Sequence, residues 1–153
     1  MEYCFVEFKV DDKNRFDALG RVFSEIKKDK DANLWRDNED WLAFFDDAAL
    51  SNFWPTEEER AELQRRFDTT PVSQRYTARS LLPGWDFESM FDAFKNGEYE
   101  LIACRMISLD KARLEFDPWA YPYGGIGCMQ ALIQSFGFLI LSQDNGTGYI
   151  EFQ

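Results

Sequence analysis

The chain has 153 residues, 45% of them hydrophobic, which fits one domain (1–153) with a core of its own and excludes a disordered composition. It contains no histidine, so Ser-His-Asp and Cys-His couples, imidazole general bases and the common zinc sites are excluded. A formal net charge of -11 argues against tracking nucleic-acid phosphates or binding an anionic membrane surface.

In chain order, Tyr3 to Val10 reads as a strand, because Cys4, Val6, Phe8 and Val10 alternate with Glu7 and Lys9. Asp11 or Asp12 then caps a helix running to about Lys28, with Phe16, Leu19, Phe23 and Ile26 on one stripe. After a polar stretch, Trp41, Phe44, Phe45, Ala48 and Ala49 recur at helical spacing, with a short strand at Trp41 to Phe45 as the competing assignment. Thr56 with Glu59 forms a capping box that opens a helix to about Phe67. Residues 68–85 read as a long connection. Asp86 caps a further helix that buries Phe87, Met90, Phe91 and Phe94 and stops at Asn96-Gly97.

The last third predicts a hairpin from Leu101–Ser108 and Arg113–Phe116, then a helix from about Gly127 whose inner face is Met129, Leu132, Ile133 and Phe136. Gly137 stops that helix, and Phe138 to Leu141 is a continuous apolar strand expected to be central. The turn at Asp144 to Gly148 leads to a last strand with Ile150 and Phe152 inward. The order β-α-α-α-α-β-β-α-β-β predicts an α+β fold: a mainly antiparallel sheet of about five strands with helices on one face.

Cys4, Cys104 and Cys128 are odd in number, widely spaced and set in apolar runs, so they read as reduced core residues rather than a disulfide frame. No apolar run is long enough to span a bilayer, and the first residues lack the basic stretch of a signal peptide, so the expected location is cytoplasmic.

Charge is uneven along the chain. Residues 29–59 hold ten carboxylates against Lys30 and Arg36, and the same segment carries Trp35, Trp41 and Trp54. Carboxylates beside rings suit recognition of a basic protein, with Asp37, Glu39, Asp40, Asp46 and Asp47 steering the encounter and the three tryptophans anchoring it. A solvated acidic face above ordinary core aromatics is the plainer alternative. The Asp46-Asp47 pair with Asp40 or Glu39 offers hard oxygen ligands, but the spacing matches no calcium loop, so no metal is expected. A second site reading places an anion or small molecule on the backbone amides of Gly124, Gly125 and Gly127, with Arg75 or Arg79. That loop lacks both the P-loop and the dinucleotide signatures. No nucleophile elbow and no singled-out carboxylate pair points to catalysis, so the chain reads as a non-enzyme without a cofactor, either monomer or homodimer.

Asp117-Pro118, Tyr121-Pro122-Tyr123-Gly124-Gly125, Leu132-Ile133, Phe136-Gly137-Phe138 and Asp144 through Gly148 together resemble the C-terminal pattern of small bacterial proteins, among them immunity proteins of polymorphic toxin systems. The resemblance covers about the last 40 residues. It implies a small, acidic, cytosolic protein without catalytic groups that blocks a toxin, often a basic nuclease, by complementary charge. No functional residue carries over by motif.

Overall fold

Strand β1 (Cys4–Lys9) sends alternate side chains to opposite faces, and this divides the molecule into two unlike sides. In the computed structural model, which describes residues 3–53, 57–74, 86–119 and 126–152, β1 is the middle strand of a five-stranded sheet. With β2 (Tyr99–Met106), β3 (Lys111–Pro118), β4 (Leu139–Asp144) and β5 (Tyr149–Glu151), the order is β2-β3-β1-β4-β5. All four pairings are antiparallel.

The register assigns the faces. Val6 lies opposite Leu114 and Phe8 opposite Ala112 and Ile140, all fully buried. On the other face, Glu7 lies opposite Arg113 and Phe5 opposite Glu115. The helices cover the first face. Helix α1 (Lys13–Ala32) begins at Asp12, whose Oδ1 accepts from the backbone N–H of Asn14 at 2.9 Å and of Arg15 at 3.2 Å, so Asp12 rather than Asp11 is the cap. It continues past Lys28 to Ala32, because Asp29 turns inward to an arginine partner. It ends where Asn33 takes the left-handed conformation, φ 55°.

The segment expected as one helix around Trp41 is two short ones, α2 (Asn38–Leu42) and α3 (Asp47–Leu50). The break falls at Asp46, which accepts from the Ala49 N–H at 2.8 Å and so starts a new helix. Helix α4 (Glu57–Thr69) carries paired surface charges, and none of its described side chains is buried. The capping box proposed at Thr56 lies outside the described residues. A 3-10 turn at Val72–Gln74 follows.

Helix α5 (Phe87–Asn96) is capped by Asp86 and buries Phe87, Met90, Phe91 and Phe94, as its spacing predicts. Gly97 closes α5 in an extended conformation; its role is steric, since a Cβ there would overlap the Tyr99 ring. Helix α6 (Gly127–Ser135) is buried on nearly every side, between α5 and α3 above and β4 and β1 below. The one buried amide on α6, Gln130, donates to Gln143 Oε1 at 2.6 Å, which satisfies both groups inside the core. Gly137, at φ 86°, turns the chain into β4.

The fold is therefore α+β with an antiparallel sheet, as the order of elements predicts. One correction concerns β4. It lies between β1 and β5 rather than at the centre, and Leu139 on it is 45% exposed, so its apolar run is not covered on both faces.

Candidate protein-binding face

The 33–50 segment is built around Arg36. Its guanidinium donates to Asp29 (Nε to Oδ2, 2.9 Å; Nη2 to Oδ1, 2.8 Å) and to Glu25 Oε2 at 2.8 Å, and its backbone N–H donates to Asp29 Oδ2 at 3.1 Å. This fork pins the loop after α1 back onto the helix. Its planar face lies 4.6 Å from the Trp41 ring centroid and 5.6 Å from that of Phe44. Burial is the largest single influence on the Asp29 carboxyl and opposes its charge. The hydrogen bonds from Arg36 and the arginine's charge together outweigh it and hold that carboxyl below the ordinary range.

Beneath Arg36 the rings turn inward. Trp41 stacks on Phe91 at 4.7 Å and 16°, and Trp35 meets Trp41 at 5.2 Å. Phe45 contacts Phe87 at 5.1 Å and Phe136 at 5.3 Å, which ties the link between α2 and α3 to α5 and to the end of α6. Trp41 is 0% exposed. It therefore cannot anchor a partner, which corrects the expectation for that residue: its flat ring fills the interlayer space and leaves no surface. Trp35 is half-buried against the same core. Trp54 lies outside the described residues.

The carboxylates behave differently. Asp37, Glu39, Asp40, Asp46 and Asp47 are all exposed. Asp46 is engaged structurally, since it caps α3 and pairs with Arg15 Nη1 at 2.6 Å. Its carboxyl is held below the ordinary range, chiefly by the Ala49 N–H and then by Arg15. Asp37 is the N-cap of α2 without a side-chain hydrogen bond, while Glu39 and Asp40 occupy the first turn of α2 and Asp47 that of α3. None of these four has an ion-pair partner among the described residues.

Sequence reasoning missed two contributions to the face. Asn38 donates to Glu88 Oε1 at 3.3 Å, which brings the exposed first turn of α5 beside the α2 acids. The large exposed apolar side chains in the segment are leucines, Leu34 at 74% and Leu42 at 42% exposure. The signal for Leu34 was available: it sits in a polar stretch and falls on no apolar stripe.

Elsewhere, several polar groups are satisfied by the fold itself, while the buried Ser142 hydroxyl finds no partner among the described residues. Lys30 Nζ donates to the carbonyls of Phe94 at 2.8 Å and Gly97 at 2.7 Å, which terminates α5, and lies 4.8 Å from the Tyr99 ring centroid. Tyr99 Oη and Cys128 Sγ are 3.3 Å apart in the interior. Burial pushes the Cys128 thiol up to about 11 and the Cys104 thiol up to about 12, so neither is an activated nucleophile near neutral pH. All three cysteines are free thiols. A surface cleft of about 400 Å³ is lined by Arg15, Asn52, Phe136 and Gly137, and Arg15 donates to the Phe136 carbonyl at 3.0 Å.

Of the alternative anion site, only Gly127 is described. It opens α6 behind Ile126, which supplies no side-chain cap. Gly124, Gly125, Arg75 and Arg79 lie outside the described residues. Among the described residues no group of three or more acidic or thiol side chains is placed to hold a metal, and no helix is long and apolar enough to cross a membrane.

Comparison with family models, with curated proteins and with solved structures finds no match to this chain.

Proposed function

We propose that this protein is a non-enzymatic binding module that recognises a basic protein through the acidic start of α2 and its neighbours, in the manner of a toxin-neutralising immunity protein. One observation carries the reading: Asp37, Glu39, Asp40 and Asp47 are exposed and unpaired among the described residues, while Arg15, Arg36, Arg105 and Arg113 are committed to other acids. Unpaired carboxylates cost little in water and raise the encounter rate with a cation-rich surface. The buried ring layer beneath gives them a rigid base. Leu34 and Leu42, rather than Trp41, supply exposed apolar contacts of the interface.

The test compares the native protein with a variant neutralised at all four positions (Asp37→Asn, Glu39→Gln, Asp40→Asn, Asp47→Asn) as baits in native lysate at low and high salt. Capture of one stoichiometric basic protein by the native bait, weakened by salt and lost with the variant, supports the reading. Equal capture by both baits, or none by either, overturns it.

A further inference from the structure

The two edges of the sheet are unequal. β5 offers three residues, whereas β2 offers eight and has β3 as its only strand neighbour among the described residues. The β2–β3 register slips between Leu101 and Ala103, so Ile102 is extra and unpaired. Glu100 lies opposite Asp117 and Arg105 opposite Arg113, and Asp117 and Arg113 share a face of the regular strand β3. The bulge therefore puts Glu100 and Arg105 on the same, outer face of β2. Without it, five residues of separation would put them on opposite faces.

This arrangement leaves like charges side by side. Glu100 faces an acid and Arg105 faces a base, so the outer face of β2 is acidic at one end and basic at the other. With Ile102 set aside, the residues of β2 that pair with β3 are symmetric about Ala103. An antiparallel copy centred there would set Glu100 against Arg105, Leu101 against Cys104 and Tyr99 against Met106. Opposite charges would meet on the outer face and apolar side chains on the core face. Moving the centre to Leu101 or to Cys104 shortens the pairing and sets Glu100 or Arg105 against Ala103.

We propose that β2 is a self-pairing edge: two copies of the chain join antiparallel through it, about a two-fold axis at Ala103, into one continuous sheet. Each Arg105 then bridges its own Glu115, which it already contacts at 2.6 Å, and Glu100 of the second copy. In the single chain Lys27 Nζ donates to the Leu101 carbonyl at 2.8 Å and to Asp31 at 3.0 Å, so this lysine blunts the edge and must share or give up that carbonyl when the second copy pairs. The inference is independent of the acidic face.

Sedimentation equilibrium from micromolar to millimolar concentration, at physiological salt, reads it directly. The native chain should dimerise with concentration. Glu100→Arg and Arg105→Glu, each alone, should weaken the dimer by about tenfold or more, since each opposes like charges. An equimolar mixture of the two variants should restore the native strength, because both contacts in the mixed dimer are again opposite in sign. Glu100→Arg faces Asp117 and so keeps the fold; it carries the test alone if Arg105→Glu loses its Glu115 contact and misfolds. A monomer at every concentration overturns the inference, as does a dimer indifferent to both variants.

Discussion

The outer face of the sheet and the 33–50 shoulder are both rich in acids, and they use them in opposite ways. On the sheet, Glu7 takes Arg113 at 3.0 Å and Glu115 takes Arg105 at 2.6 Å, and the Arg113 guanidinium lies 3.9 Å from the Phe5 ring centroid. On the shoulder, the one arginine turns inward to Asp29, and of the exposed acids at helix starts only Asp46 has a cation, Arg15, among the described residues. A half-buried carboxylate needs a partner because desolvation penalises its charge. An exposed one at a helix N-terminus is satisfied by water and the helix dipole. Paired acids therefore belong to the fold here, and the unpaired acids of the shoulder are the ones the proposed interface would use.

This contrast can be broken or sharpened in several ways. The largest effect should come from the rings under the shoulder. Phe91→Ala removes contacts to Trp35, Trp41, Phe45, Phe87 and Phe94 and should cost about 3–5 kcal/mol, read as a fall in Tm of roughly 10 °C. Arg36→Met should cost about 2–3 kcal/mol in denaturant unfolding, because it strands the buried Asp29 carboxylate.

The same pair sets an acid limit. Asp29 ionises more easily folded than unfolded, so its contribution is full above the unfolded value near 3.8 and is lost as pH falls through the lower folded value. Asp29→Asn should flatten the stability profile in that window and lower stability at neutral pH. Asp46→Ala should cost about 1 kcal/mol through the lost α3 cap and the exposed Arg15 contact. Smallest of all, neutralising Asp37, Glu39, Asp40 and Asp47 together should change stability by about 0.5 kcal/mol or less while slowing association with the proposed basic partner.

Much of this layout was legible in the residues. The inner face of α5 follows from Phe87, Met90, Phe91 and Phe94 behind a capping aspartate, and β1 follows from its alternation. The break between α2 and α3 was hidden, because Trp41, Phe44, Phe45, Ala48 and Ala49 keep one helical period across it. The clue was Asp46, a residue that starts helices more readily than it continues them. Trp41's burial was illegible for another reason: periodicity gives a side chain's direction, not the depth of the layer above it. The Arg36 fork joins a helix to the loop beyond its end, a contact no local pattern encodes. The slip at Ile102 depends on pairing between strands, so the charge pattern along β2 became visible only with the register.

One atom in the shoulder has a practical use. The Trp41 indole N–H is buried and has no acceptor among the described residues. Such a proton exchanges with deuterated solvent only when the layer around it opens, so its exchange rate times the breathing of the ring stack directly. Docking on the acids overhead would slow that clock without touching the ring, and an NMR spectrum of the indole region would show it before the partner's footprint is mapped.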